Sequence, residues 1–306
     1  MEESSSAYII RHIIIDFICV ACVAIPAAVF KWGVSPYHRG FYCNDESLMH
    51  PFKDSTVTSA VLGVVGAGVP ILTIILVEGL TYRFKKPLTV DAKLFKLGNL
   101  RINRFVFNCY KYIGLLIFNI FVNQFFTDVG KYSIGRLRPH FFAVCKPDYS
   151  KFNCSSGYIE SYVCTGTDSY NLKNARLSFP SGHASMSFAS MLYLTLYIQY
   201  RFQWKGSHLL KHVLQIIAMM LAFACTLSRV SDYKHHWSDV LGGAVLGCIV
   251  TICVVVGTTD FFRPIIDPNL YAARKKNDRC DITTSPKSST VDPVAHEQEF
   301  NIQNMA

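Results

Sequence analysis

Charge-free apolar runs that are long enough to cross a lipid bilayer recur along this chain, and they constrain its fold more than any other feature. The clearest are 55–77 and 240–259, which contain no Asp, Glu, Lys or Arg. A hydrocarbon core about 30 Å thick requires roughly 20 helical residues. Only 17% of all residues are charged and 51% are hydrophobic, which is unusual for a soluble domain. The sequence therefore predicts an all-α integral membrane protein.

Six transmembrane helices are predicted, and together they form one domain over residues 1–262. The first has polar residues in its opening turns, and a cleaved signal peptide is the alternative interpretation of that segment. The Glu2-Glu3 start and the lack of a small-x-small cleavage site disfavour this alternative. Residues 263–306 are rich in Ser, Thr, Asn and Lys and are predicted to be a disordered cytoplasmic tail. The predicted spans lie near 8–30, 55–80, 105–130, 184–200, 212–228 and 240–260.

The distribution of lysine and arginine predicts that both termini are cytoplasmic. With that orientation, the cytoplasmic segments contain more of these cations than the segments on the other side, as the positive-inside rule requires. The only N-x-Ser/Thr sequon places a predicted glycosylation site at Asn153, on the non-cytoplasmic side. Four cysteines lie on that same side, where disulfides can form, and the sequence leaves their pairing open. They are Cys43, Cys145, Cys154 and Cys164.

Three short segments stand out because ionisable residues cluster in them at the ends of predicted spans. They are 131–139 after the third span, 179–183 before the fourth, and 228–239 between the fifth and sixth. The predicted topology places all three on one side of the membrane. Ionisable residues scattered at random would not all fall on one side of the membrane, so we expect the three segments to form one site.

The cations of these segments are suited to binding a phosphate group. Lys131, Arg138 and Arg229 supply three positive charges, and a phosphate monoester carries close to two negative ones. Arginine offers planar donor forks, whereas lysine acts as a point charge. Ser181 and Gly182 precede a helix start, where backbone N–H groups also attract anions. Taken singly, each residue also fits an ordinary role, such as a lysine at a membrane interface or a serine helix cap.

The third segment also contains a candidate nucleophile. His235 and Asp239 are spaced i, i+4, which places them on one face of a helix. A carboxylate bound to one ring nitrogen fixes the tautomer and leaves the lone pair of the other nitrogen free. His183 is then the candidate general acid and base. A metal site at His235, His236 and Asp239 is the less favoured alternative, because three nearby cations would repel a metal ion.

Other polar and small residues within the spans are predicted to be structural. We expect Asp128 to pair with Lys131, one turn away on the third span. Glu78 is a further ionisable residue at membrane depth, where such residues tend to be functional. Gly243 and Gly247 form a small-xxx-small pattern that indicates close helix packing.

Together these segments resemble the signature of the type 2 phosphatidate phosphatases. That signature is Lys-x6-Arg-Pro, then Pro-Ser-Gly-His, then Ser-Arg-x5-His-x3-Asp, and it is complete here in order and spacing. The segments 41–47, 131–141 and 228–241 are similar to the animal lipid phosphate phosphatases in particular. The similarity covers roughly residues 10–262.

The resemblance implies a mechanism, and its spacing selects His235 over His236. His235 would attack phosphorus and form a phosphohistidine, Asp239 would orient it, and His183 would protonate the lipid hydroxyl and then activate water. The phosphoryl oxygens would be held by Lys131, Arg138, Arg229, Ser181 and Gly182. Expected substrates are phosphatidate, lysophosphatidate, sphingosine 1-phosphate and ceramide 1-phosphate, without metal or cofactor. The resemblance also implies a site at the extracellular or lumenal ends of helices three to six, a homo-oligomer, and residence in the plasma membrane or in the ER or Golgi.

Three other functions are alternatives: a non-catalytic lipid-phosphate binder or scaffold, a transporter, and a phosphatase of the same fold that acts on a soluble phosphate. A transporter predicts polar residues along a path through the spans, whereas the conspicuous ones here lie at span ends. Nucleic-acid binding is disfavoured despite the net charge of +9, because the basic residues are spread among the loops.

Overall fold

The computed structural model of this protein describes residues 6–84, 95–97, 100–202 and 206–258. The predicted tail, 263–306, lies outside the described residues. Long helices dominate the fold, as the sequence predicts, although the described part also contains two pairs of very short antiparallel strands. One pair joins β1 (Phe41–Tyr42) to β4 (Tyr158–Ile159), and the other joins β2 (Phe95–Leu97) to β3 (Leu100–Ile102).

A helix is present at each of the six predicted spans. The first is α1 (Ser6–Gly33), and the second is one run made of α2 (Ser59–Gly63), a π-helical turn and α3 (Val69–Phe84). The others are α4 (Arg104–Ile134), α7 (Gly182–Arg201), α8 (His208–Ser231) and α9 (Trp237–Thr258). Short helices α5 (Phe141–Cys145) and α6 (Ser169–Asn174) lie in the connection between α4 and α7.

Five of these helical runs are long and apolar enough to cross a membrane, and α7 is not among them. The reason is visible in its position, because α7 packs against α4, α8 and α9 at the centre of the bundle. A helix that is surrounded by protein need not be apolar toward lipid. The residues that α7 buries accordingly include serines and tyrosines as well as apolar side chains. The count of six spans therefore does not follow from apolarity and length alone.

Small residues allow α9 to lie very close to α7. A Cβ on Gly243 would stand 2.4 Å from the Ser181 carbonyl oxygen, and one on Gly247 would stand 2.3 Å from that of Ser185. Only glycine can be accommodated at these two contacts. The predicted packing role of the Gly243-x-x-x-Gly247 pattern is confirmed.

Helix ends follow local sequence signals. Asn103, Ser181 and Ser207 cap α4, α7 and α8 by accepting a hydrogen bond from a backbone N–H of the first turn. Gly135 ends α4 in the left-handed conformation, with φ 57°. A Cβ there would stand 2.2 Å from the Tyr37 carbonyl oxygen, so the close approach of that loop also requires glycine.

A small apolar layer covers the end of the bundle where α4 stops and α7 and α9 begin, which we call the site end. Phe41, Phe141 and Ile159 are fully or almost fully buried in it. Two disulfides tie the layer together and use all four cysteines that the sequence singled out. Cys43 pairs with Cys154, and Cys145 pairs with Cys164.

The opposite end of the bundle contains a buried ion pair. Arg201 donates to both carboxylate oxygens of Glu78, at 2.6 and 2.7 Å, and Glu78 is only 1% exposed. Asn108 and Tyr197 also donate to this carboxylate, so its acceptors are well satisfied. Glu78 therefore joins three helices.

The predicted ion pair between Asp128 and Lys131 is wrong. Asp128 instead accepts a hydrogen bond of 2.8 Å from Gln124, one turn earlier on α4. Within the described residues, no ion pair joins Asp128 to Lys131. Lys131 extends toward α7, where a Cβ on Gly182 would stand 2.9 Å from its Nζ atom.

Candidate active site

The three signature segments meet at the site end of the bundle. Backbone hydrogen bonds tie them together: the Ser181 N–H donates to the Asp239 carbonyl at 2.9 Å, and the Ser178 N–H donates to the Arg136 carbonyl at 2.9 Å. The structure thus brings together segments that are far apart in sequence. Within this cluster, the positive charges of Lys131 and Arg138 act on the His235 ring.

His235 is buried, with an exposed fraction of 3%. Burial, together with the charges of Arg138 and Lys131, holds the pKa of His235 well below its usual 6.5. The ring is therefore neutral near pH 7. The ring nitrogen next to Ser178 is Nδ1, with the Ser178 hydroxyl at 3.5 Å, and a proton on Nδ1 faces that oxygen. This leaves Nε2 with a free lone pair, which is the form that a nucleophile requires.

Asp239 is fully buried, and its partners differ from the expected arrangement. Its Oδ2 atom lies 4.0 Å from His235 Nδ1, which is too long for a hydrogen bond. The carboxylate accepts hydrogen bonds from the Arg136 side chain at 2.5 Å, the Ser178 hydroxyl at 2.6 Å and the His236 backbone N–H at 3.0 Å. Sequence reasoning missed Arg136 and Ser178, although both lie beside signature residues.

Arg229 is held by a carboxylate that sequence reasoning also missed. It is 1% exposed and donates to Asp232 at 2.8 Å and to the Ser228 hydroxyl at 2.9 Å. Asp232 in turn accepts two hydrogen bonds of 2.8 Å from Thr56, one from the backbone N–H and one from the hydroxyl. The available signal was a carboxylate three residues after an arginine, which is one helical turn.

Two side chains of the site have polar atoms without a partner among the described residues. They are Nε of Arg138 and Nε2 of His183, and both atoms are buried. The other contact of Arg138, from Nη2 to the Leu177 carbonyl, is long at 3.4 Å. Burial lowers the pKa of Arg138 to about 10, so it remains charged at neutral pH. The His183 ring binds the Val57 backbone carbonyl. A buried polar atom without a partner is costly in a purely structural role, which favours a ligand-binding role for both residues.

Ser181 and Gly182 lie at the start of α7, but only the Gly182 N–H is available to bind a phosphoryl oxygen as predicted. The Ser181 N–H donates to the Asp239 carbonyl, and the Ser181 hydroxyl caps the helix through the Ala184 N–H at 3.4 Å. The Gly182 N–H is the first of the helix and has no intrahelical partner by its position. The lack of a side chain at Gly182 lets the Lys131 ammonium group approach.

His236, the neighbour of the candidate nucleophile, is directed elsewhere. Its Nε2–H donates to the Leu137 carbonyl at 3.1 Å. In the part of the chain that the structure describes, no three His, Cys, Asp or Glu side chains are grouped so that they could hold a metal ion. The other predicted site residue, Asn153, is exposed, and its side chain caps the short helical turn Cys154–Ser156.

Comparison with known proteins identifies relatives along most of the chain. Residues 112–263 match the model of the PAP2 superfamily. Phospholipid phosphatase 1 of Rattus norvegicus is 42% identical over 252 residues, which is 82% of this chain and 86% of the rat protein. Phospholipid phosphatase 2 of Rattus norvegicus is 40% identical over 253 residues, which is 82% of this chain and 87% of the relative. No solved structure matches the chain.

These relatives confirm the family that the three-part signature predicts. The match covers α7, α8, α9 and most of α4, which contribute every candidate site residue outside the connecting loops. Five helical runs that are long and apolar enough to cross a membrane also make the chain a multi-pass membrane protein. The chain therefore belongs to the PAP2 superfamily, and it is an enzyme of the phosphatase class.

Proposed function

We propose that this protein hydrolyses lipid phosphate monoesters without a metal ion, through a phosphohistidine on His235. The observation that carries the proposal is a neutral, buried imidazole surrounded by cations that can bind a dianion. Lys131 and Arg138 are close enough to lower its pKa, and Arg229 is held nearby by Asp232. The relatives are named phospholipid phosphatases, which supports lipid substrates. We expect phosphatidate, lysophosphatidate, sphingosine 1-phosphate and ceramide 1-phosphate to be accepted.

In the first step, Nε2 of His235 attacks phosphorus while the bond from phosphorus to the lipid oxygen breaks. With the phosphate dianion bound beside it, the His183 ring carries a second proton, and it donates the proton on Nε2 to the departing lipid oxygen, which leaves as the alcohol. Lys131, Arg138 and Arg229, with the Gly182 N–H, stabilise the charge on the phosphoryl oxygens. Each well-aimed donor of this kind contributes about 3–4 kcal/mol in known enzymes.

In the second step, water releases the phosphate. The now neutral His183 takes a proton from a water molecule, and the resulting hydroxide oxygen attacks phosphorus. The bond from phosphorus to His235 breaks, which restores the free imidazole and forms inorganic phosphate. Proton transfer by a positioned side chain typically contributes about 10²–10⁴-fold to the rate.

We further propose six membrane spans, with α7 as the span that protein rather than lipid surrounds. An even number of spans places both termini on the same side, and the distribution of lysine and arginine makes that side the cytoplasm. The site end then faces the extracellular or lumenal space, which fits its two disulfides and the Asn153 sequon. The protein would act in the plasma membrane, or in the ER or Golgi, as a homo-oligomer. The lipids it consumes are signalling molecules and intermediates of phospholipid metabolism, so we expect it to regulate both processes.

The test is phosphate release from lysophosphatidate by the purified protein in EDTA. Wild-type protein should turn over, and His235→Ala should not. His212→Ala is the matched control, because His212 is exposed, lies outside the site, and has a side-chain hydrogen bond only with Gln215 among the described residues. Acid-labile labelling of the wild type by a ³²P-substrate would reveal the phosphohistidine. Turnover by His235→Ala would exclude His235 as the nucleophile.

A second arm addresses the substrate. Rates on lysophosphatidate and on glucose 6-phosphate at matched concentrations separate a lipid phosphatase from one that acts on soluble phosphates. Equal or higher rates on the sugar phosphate would contradict the lipid assignment. Ligand binding without turnover would indicate a binding protein rather than an enzyme.

A further inference from the structure

The distance between His235 and Asp239 requires an intermediary. Asp239 lies 4.0 Å from His235 Nδ1, so the carboxylate does not orient the ring directly. The Ser178 hydroxyl lies between them, 2.6 Å from the carboxylate and 3.5 Å from the ring nitrogen. Within the described residues, the Ser178 hydroxyl therefore links the carboxylate to the Nδ1 side of His235.

The second oxygen of Asp239 is held by Arg136. The Nη1 atom of Arg136 lies 2.5 Å from Oδ1 of Asp239 and also donates to the Ser238 hydroxyl at 2.8 Å. Asp239 is completely buried, and a buried carboxylate without a paired cation is unfavourable by several kcal/mol. Arg138 is the other arginine of the same segment, but its Nη2 contacts the Leu177 carbonyl instead. Among the described residues, Arg136 is therefore the cation in direct contact with the carboxylate.

The chain path explains why these two residues meet at one carboxylate. Gly135 ends α4 in the left-handed conformation, and the next residue is Arg136. The Ser178 N–H then donates to the Arg136 carbonyl at 2.9 Å, so the two backbones run side by side at the start of α9. Both side chains reach Asp239 from these adjacent backbones.

We infer that Arg136 and Ser178 are positioning residues for the reaction: Ser178 connects Asp239 to the His235 ring, and Arg136 holds the carboxylate in the orientation that this connection requires. Neither side chain needs to touch the phosphate. The inference rests on the proposed role of His235 as nucleophile. According to the inference, Asp239 orients the His235 ring through the Ser178 hydroxyl and not by direct contact.

Removal of either side chain should lower kcat more than it changes KM, because the residues that hold the phosphate stay in place. For Ser178→Ala we expect a loss of about 10–100-fold in kcat, the range found when supporting partners of reactive groups are removed. Arg136→Lys keeps the charge and should retain most of the activity, whereas Arg136→Ala should not. Arg39→Ala is the matched control. Arg39 and Arg136 line the same cavity of about 800 Å³, but Arg39 makes no ion pair with Asp239 within the described residues.

A purely structural role is separated from a positioning role by the pH dependence of kcat/KM. The groups that act on His235 are Lys131 from α4, Arg138 from the following loop, His183 from α7 and Asp239 from α9. Arg136→Ala removes the cation that pairs with Asp239, and the loss of this positive charge should raise the pKa of His235. The acid limb of the kcat/KM profile should therefore move to higher pH. Arg136→Lys should restore its position, and Arg39→Ala should leave it unchanged.

The double-variant comparison completes the test. In an Asp239→Asn background, Ser178→Ala and Arg136→Ala should cause little further loss, because their effect passes through that carboxylate. Equal losses in both backgrounds, with an unmoved acid limb, would overturn the inference. If Arg136→Ala does not fold, Ser178→Ala still tests the inference, because the serine substitution removes only a hydroxyl group. If His235→Ala keeps its activity, the proposed function fails first. If only the positioning variants behave as wild type, the inference fails alone.

Discussion

The Nζ atom of Lys131 occupies the space that a side chain at Gly182 would need, 2.9 Å from the position of a Cβ atom. One residue belongs to the end of α4 and the other to the start of α7, so this contact brings the first signature segment against the second. Glycine is therefore needed at position 182 for Lys131 to keep its observed position. The backbone conformation there is helical and does not itself require glycine.

Gly182→Ala should reduce activity while leaving stability nearly unchanged. The added methyl group displaces the flexible end of Lys131, and a misplacement of about 1 Å at a reacting centre can cost about 100-fold in rate. We expect kcat/KM for lysophosphatidate to fall by about 10–100-fold. Gly114→Ala is the matched control, since Gly114 lies on the same helix as Lys131 and a Cβ there meets nothing within 4 Å. An unchanged rate in Gly182→Ala would show that Lys131 does not act from its observed position.

Asp232→Asn should impair binding of the phosphate through Arg229. The carboxylate holds the Arg229 guanidinium at 2.8 Å and is itself fixed by Thr56. A neutral amide weakens the charge-assisted contact, so we expect kcat/KM to fall by about 10-fold or more. Asp148→Asn, a change at an exposed turn, is the control. Steady-state kinetics of the two variants side by side would test this, and equal rates would contradict the anchoring role.

Glu78→Gln should destabilise the protein without changing its pH–activity profile. Glu78 and Arg201 form a buried bidentate pair at the end of the bundle away from the site. Loss of one partner of such a pair typically costs about 3–5 kcal/mol, whereas replacement of both is far milder. Unfolding in mixed micelles should therefore show a larger loss for Glu78→Gln than for Glu78→Gln with Arg201→Met. The exposed Glu160→Gln serves as the control. A larger loss in the double variant would contradict this account.

His140 should make the stability of the protein fall in mild acid. Burial lowers the pKa of His140 to about 4, and its Nδ1–H donates to the Tyr233 carbonyl at 2.8 Å. The unfolded chain binds this proton below about pH 6.5, and the folded protein does so only near pH 4. The stabilisation is therefore complete above pH 6.5 and is lost as the pH falls through about 4. His140→Asn should flatten the decline of the unfolding free energy between pH 6.5 and 4. An equally steep decline in the variant would contradict the prediction.

Asn153→Gln tests the orientation of the site end. If that end is lumenal during synthesis, protein from a eukaryotic host should lose mass on glycosidase treatment, and Asn153→Gln should lack the additional mass. The side chain is exposed and lies beside the Cys43–Cys154 disulfide. Glycosidase-insensitive protein, together with labelling of an Asn153→Cys variant in intact cells by a membrane-permeant maleimide but not by an impermeant one, would contradict the proposed orientation.

Much of this fold could be predicted from the sequence because its signals are local. An apolar run of sufficient length specifies a helix for a membrane, and the i, i+4 spacing of His235 and Asp239 depends only on helical periodicity. The polar segments at 131–139, 179–183 and 228–239 gave the candidate site, and the structure brings those segments together at one end of the bundle. The glycines of α9 were also correctly interpreted, since small residues at that spacing have one common use.

Tertiary structure decided the features that depend on partners distant in sequence. Arg136 meets Asp239 across 103 residues, and Thr56 meets Asp232 across 176. No local pattern could reveal these contacts or exclude the expected pair of Asp128 with Lys131. The disulfide pairing and the burial of polar side chains on α7 have the same origin, because both depend on which segments become neighbours. The sequence by itself determined which chemical groups this enzyme has. Only the packing of helices and loops determined which of those groups hold one another, because a hydrogen bond or ion pair requires contact in space.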